Sequence, residues 1–153
     1  MSGRRTAGAV AGGLVAGLAI TTLLVAGERK SGKPSELTEL ERAGARQLGL
    51  DTPGARVLPD AREQVIVQGA HLALSAAAGM TYAAVTDENT SLLASGLGFG
   101  LAFYVAAHWV TGPLLGLKRP EWQSGGTTIA IHTLNHLGFG LITALGARLA
   151  AER

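Results

Sequence analysis

Apolar positions in this chain fall in long blocks, not in the alternation of a sheet or the one-sided stripes of a surface helix. No Asp, Glu, Lys or Arg occurs from Ala7 to Gly27, from Gln64 to Thr86, from Asn89 to Leu117, or from Trp122 to Ala147. Each block exceeds the ~20 residues that a helix needs to cross ~30 Å of hydrocarbon. The pattern predicts four transmembrane helices. Short links, Thr86-Asp87-Glu88-Asn89-Thr90 and Lys118-Arg119-Pro120-Glu121, force the last three to run as antiparallel neighbours. The expected fold class is all-α: a polytopic membrane protein with four transmembrane helices in an antiparallel bundle. Residues 1–27 form an N-terminal span, 28–63 a charged aqueous loop, and 64–153 a three-helix core.

The loop carries as many acidic as basic residues. Pro34-Ser35 signals a helix start, and Leu37, Leu40 and Leu48 recur at helical spacing among Glu36, Glu39, Glu41, Arg42 and Arg46. A short amphipathic helix lying on the membrane surface is expected there, or a solvated linker helix. Asp51-Thr52-Pro53-Gly54 reads as a turn, and Pro59-Asp60 precedes the second span. In the first span, Gly8/Gly12 and Gly13/Gly17 are overlapping small-xxx-small pairs, fit for close helix packing. The expectation is that this span braces a functional core made by the other three. Gly112-Pro113 interrupts the third span, and Pro113 should kink it.

Composition adds limits. The chain has 153 residues and no Cys, which excludes disulfides, thiolate ligands and iron–sulfur clusters. Three Phe, two Trp and two Tyr leave no rich aromatic belt, although Trp109 and Trp122 suit interface anchoring or packing. A net charge of +2 is no argument for nucleic-acid binding and fits a protein beside lipid. Arg4-Arg5 before an apolar run also suits a signal peptide, but the run is longer than an ordinary signal core. The partners expected are the lipid bilayer and, given the glycine-lined faces, a homo-oligomer or larger membrane complex. Lys and Arg concentrate in the 28–63 loop and at Lys118-Arg119. The positive-inside rule then places both termini outside the cytoplasm, in a plasma (inner) membrane.

The chemistry lies in four histidines, each inside an uncharged block: His71, His108, His132 and His136. Counted from the loop side, all four sit at ~10–20 Å depth, at 1.5 Å per residue. Ionisable groups in a membrane are costly and mark candidate sites. His132 and His136 share a helix face at i, i+4, a spacing that can chelate one metal. Ser75, Tyr104, Thr111 and Asn135 stand where they could orient ring nitrogens. Three uses stay open: helix–helix hydrogen bonds, a metal site for Zn, Cu or Fe (or haem held by two histidines), and proton sensing. Catalysis has little support, because no carboxylate lies inside any block.

Three phrases resemble the YagU-like bacterial inner-membrane proteins. They are His71-Leu-Ala-Leu-Ser75 with Gly79 and Tyr82; His108 with Pro113, Gly116-Leu117 and Pro120; and His136-Leu137. The resemblance covers the last three spans. It implies an association with acid tolerance, and His132 stands where that family can carry an acidic residue. The function expected is a small inner-membrane protein with a His-lined polar site that responds to protons. The alternatives are a metal- or haem-binding protein, an accessory subunit of a membrane complex, or a purely structural subunit.

Overall fold

The computed structural model describes residues 3–152. Helix α1 spans Gly3–Ser31, α2 Glu36–Gln47, α3 Ala61–Val85 and α4 Leu92–Tyr104. A π-helical segment, Val105–Thr111, continues α4 into a final turn, α5, Gly112–Leu114. A 3-10 turn, Glu121–Gln123, precedes α6, Gly126–Ala151. No strand occurs among the described residues.

Local chemistry sets these boundaries. The Ser35 side chain accepts from the Thr38 N–H and caps α2, and Asp60 accepts from the Glu63 N–H at 2.8 Å and caps α3. Pro113 does not break its rod at one point. The backbone ahead of it widens into the π segment, and the Gly112 N–H bonds to the Ala107 carbonyl. A wider turn is one way to accommodate the donor that proline lacks.

Among the described residues, three helices are long and apolar enough to cross a membrane: α1, the rod Leu92–Leu114 and α6. Helix α3 has 25 residues, but Gln64, Gln68, His71 and Ser75 dilute it. Absence of charge, the criterion that predicted four spans, is weaker than apolar density. Many large apolar side chains face outward, among them Leu23, Leu93 and Leu134. On a membrane protein these meet lipid, and they need no partner.

Helix α1 packs on two neighbours at once, α3 and α6. Successive residues of a helix point about 100° apart, so adjacent glycines serve different neighbours. A Cβ on Gly12 would lie 2.6 Å from the Ile142 carbonyl oxygen of α6, whereas one on Gly13 would lie 2.6 Å from the Ser75 carbonyl oxygen of α3. Gly8 follows Gly12 onto α6, against Gly146 and Ala150; Gly17 follows Gly13 onto α3, against Ser75. Residue numbers rise along α1 as they fall along both partners. Helix α6 packs in turn on α4, where Gly140 meets Gly96 and Gly100. Small buried residues fill these seams, including Ala9, Ala16, Ala78, Ala83, Ala144 and Ala147. Phe139 and Tyr82 are the larger members.

Candidate functional site

All four histidines line one cavity of about 270 Å³, together with Ser75, Thr111 and Asn135. Its remaining wall is largely apolar, with Leu37 and Leu40 from α2 and Phe103 and Phe139 from the bundle. Helix α2 is therefore packed against the bundle through Leu37 and Leu40. It folds back over the site.

Three ties hold α2 there. Glu28, buried in the last turns of α1, accepts from the Ser35 N–H at 2.7 Å and the Thr38 hydroxyl at 2.8 Å. A carboxylate at a helix N-terminus also meets the helix dipole favourably. Arg42 grips Glu63 at the start of α3 with two bonds, of 2.6 and 2.9 Å, and donates to the Gly54 carbonyl at 3.1 Å. At the far end of α2, Gln47 donates to the Leu115 carbonyl at 2.8 Å.

With α2 in place, Glu36 in its first turn reaches the histidines. Glu121 comes from the opposite direction, in the 3-10 turn, and is fully buried. No carboxylate lies inside an apolar block, so the block pattern leads to histidines without carboxylates. Both arrive from outside the blocks and correct that expectation.

Lys118 completes the set. The rod ending in α5 closes with paired bonds, from the Gly116 N–H to the Pro113 carbonyl (2.9 Å) and from the Leu117 N–H to the Gly112 carbonyl (3.0 Å). Gly116 takes the left-handed conformation this Schellman closure requires, at φ +67°. The chain turns back, and the Lys118 stem crosses Gly112, where a Cβ would lie 2.8 Å from its Cγ.

The resulting geometry is compact. His132 sits between two carboxylates, with Nδ1 at 2.6 Å from Glu121 Oε1 and Nε2 at 2.8 Å from Glu36 Oε2. Lys118 Nζ contacts Glu36 Oε1, lies 2.8 Å from Glu121 Oε2, and lies 2.9 Å from His108 Nδ1. An ammonium only donates, so His108 Nδ1 accepts. Tyr104 donates to Glu121 Oε1 at 3.2 Å, so its hydroxyl orients a carboxylate and not an imidazole. With His132 protonated on both nitrogens, the two carboxylates face two cations and the cluster is neutral. Burial alone pushes Glu36 up, but hydrogen bonds from His132 and Lys118 outweigh it and hold its carboxyl down at about 2. Glu121 is likewise lowered, against its burial, by Lys118 and His132. Burial works against the charge on Lys118, and bonds to Glu121 and Glu36 still raise its pKa.

The other histidines take different parts. The His108 and His132 ring centroids are 4.6 Å apart, and those of His108 and His136 4.9 Å apart. His136 Nδ1 lies 2.8 Å from the His132 carbonyl, which only accepts, so that nitrogen carries the proton. His132 and His136 share a helix turn but do not present one chelating pair. His71 Nδ1 lies 3.1 Å from the Thr21 hydroxyl, which donates to Gln68 at 3.0 Å. Gln68 donates to Gln64 at 3.1 Å, and Gln64 to Glu28. A polar ladder thus runs along the α1–α3 seam from the α2 tie to the cavity. Ser75 donates to the His71 carbonyl at 2.9 Å, not to the ring.

Glu36, His108, Glu121 and His132 each offer one ligand atom, and all four atoms lie within 4.8 Å of one another. Two carboxylate oxygens and two imidazole nitrogens form a ligand set suited to a divalent first-row transition metal. Spacing along α6 does not reach Glu121, because extended Ser124 and Gly125 separate its 3-10 turn from that helix, and only the fold of the loop brings Glu36 in. No family model, no curated protein and no solved structure matches this chain.

Proposed function

We propose that this chain is a plasma-membrane protein of four antiparallel spans, α3 being the fourth, which binds one divalent transition metal beneath α2. The observation that carries this is the convergence of Glu36, His108, Glu121 and His132 within 4.8 Å. The α3 span is supported by its 25 residues and by outward-facing Val65, Ile66, Leu74, Met80 and Val85. The donor set favours Zn²⁺, Fe²⁺ or Co²⁺ over copper(I), which prefers sulfur ligands. Haem fits poorly, because the His108 ring centroid lies 4.6 and 4.9 Å from those of His132 and His136, too close to admit a porphyrin between them. At the inner wall of the cavity Phe103 stacks on Phe99 and meets Phe139 at a tilt, so aromatic rings close it off from the rest of the bundle. That arrangement suits a site that holds an ion over one that conducts it. On ligation, His132 gives up the proton of its binding nitrogen, so metal uptake releases protons.

The test is elemental mass spectrometry of detergent-purified protein loaded with Zn²⁺. One ion per chain, lost in Glu121→Gln and kept in His136→Ala, supports the reading. No ion above background, or equal loss in both variants, ends it.

Acid response is the second reading, and the YagU-like resemblance belongs with it. The cluster itself favours it, since protonation of Glu36 and Glu121 would dissolve the contacts that hold α2 over the histidines. A pH titration of α2 docking in metal-free protein tests this.

A further inference from the structure

Lys118 is the one member of the cluster outside the candidate ligand set, and its ammonium has no lone pair to offer a metal. Yet its ammonium touches three of the four candidate ligands, Glu36, Glu121 and His108. It lies where a bound cation would lie. Its side chain is only 13% exposed, and its stem is threaded across Gly112. We propose that Lys118 is a tethered stand-in for the metal, which fills the coordination centre of the empty protein and must swing out for a divalent ion to enter. The inference rests on the metal-binding reading above.

The charges support it. Buried Glu121 and half-buried Glu36 need two positive charges, or a divalent cation, beside them. Lys118 and a doubly protonated His132 supply them without metal. A divalent ion supplies the same charge from one point, and the ammonium then has no place between the carboxylates. Expulsion also has a route, since Lys118 sits in the link between α5 and the 3-10 turn and not inside a helix. A stand-in of this kind keeps an empty site folded and sets a threshold on metal uptake. Only an ion that binds better than the ammonium displaces it.

Two measurements test this together. Zn²⁺ binding is titrated calorimetrically for the intact protein and for Lys118→Met, which keeps the stem and removes the charge. In parallel, intact protein is acetylated with a water-soluble amine reagent, with and without Zn²⁺, and each lysine is quantified by mass spectrometry. Lys30 and Lys33 are exposed and serve as references. The expected result is about tenfold or tighter Zn²⁺ binding by Lys118→Met. Lys118 acetylation should rise severalfold on Zn²⁺ addition while Lys30 and Lys33 stay constant. Equal or weaker binding by Lys118→Met, or Lys118 equally protected with Zn²⁺ bound, overturns the proposal and leaves metal binding standing. Failure of both proteins to bind Zn²⁺ removes the metal reading and this inference with it. Should Lys118→Met not fold, acetylation of the intact protein decides alone.

Discussion

The half of the bundle under α2 and the half away from it are held together by opposite means. Away from α2, helices meet backbone to backbone. Gly8 and Gly12 lie on α6, Gly140 lies on Gly96 and Gly100, and alanines fill the seams. The polar work there falls to Arg5, which is buried and donates to the Ala83 carbonyl at 2.9 Å and to Thr86, closing the end of α3. Under α2 the helices stand apart around a cavity, and charged side chains bridge the gap. Close packing gains dispersion contacts and leaves no room for chemistry. The ionic half leaves room, at the cost of burying charge that stays tolerable only while every partner is present. A candidate site can exist in the second half because the first half supplies rigidity.

This contrast can be broken from either side. The largest effect is expected from Glu121→Gln. It removes a fully buried carboxylate charge and leaves Lys118 and His132 with Glu36 alone, so stability should fall by about 3 kcal/mol. Thermal melts of the metal-free protein in detergent read this directly. Gly140→Val attacks the other half. Its Cβ would meet the Gly96 carbonyl and lie 2.7 Å from the Gly100 nitrogen, so α4 and α6 must part, at a cost of about 2 kcal/mol. The two variants should differ in kind, since Gly140→Val keeps the ligands whereas Glu121→Gln loses one. Similar metal loss in both at equal folded fraction would erase the distinction between the halves.

The pH dependence sharpens it further. Glu36 titrates at about 2 in the folded protein, below its ordinary 4.5, so its contribution is complete above 4.5 and is lost as pH falls towards 2. Lys118 is raised, so its contribution is present below its ordinary 10.5 and fails only at more alkaline pH. Hydrogen exchange in metal-free protein should show α2 amides losing protection across the acid window while α1 and α6 stay protected. Simultaneous loss in all three would mean that α2 is not separately held by the cluster. The smallest effect is expected from His71→Ala. It removes one neutral hydrogen bond to Thr21, worth about 1 kcal/mol, and leaves metal content unchanged. A loss of metal in this variant would move the site deeper into the cavity.

How much of this was legible in the sequence differs between the halves in the same way. The spacing of Gly8/Gly12 and Gly13/Gly17 already marked the seams of α1, whereas the seam of Gly140 with Gly96 and Gly100 emerged only from the fold. Uncharged blocks marked the helices, α3 among them, although its stripe of Gln64, Gln68, His71 and Ser75 leaves it less apolar than the other three. That the four histidines fall in one layer of the bundle could be read from helical rise. The cluster could not. Glu36 and Lys118 reach it through a folded-back loop and a glycine-dependent reversal, neither of which leaves a periodic signal. Tyr104 and Ser75 were expected to orient rings, and they instead serve a carboxylate and a backbone carbonyl. Such assignments depend on which polar atom lies nearest, and spacing along one helix does not determine that.

The central claim is that carboxylates from outside the spans and histidines from inside them form one site. X-ray absorption of the Zn²⁺-loaded protein tests it most directly. The account predicts a four-coordinate ion with two imidazole nitrogens and two carboxylate oxygens at about 2.0–2.2 Å. A shell made of imidazoles alone, or of water with a single protein ligand, would contradict it.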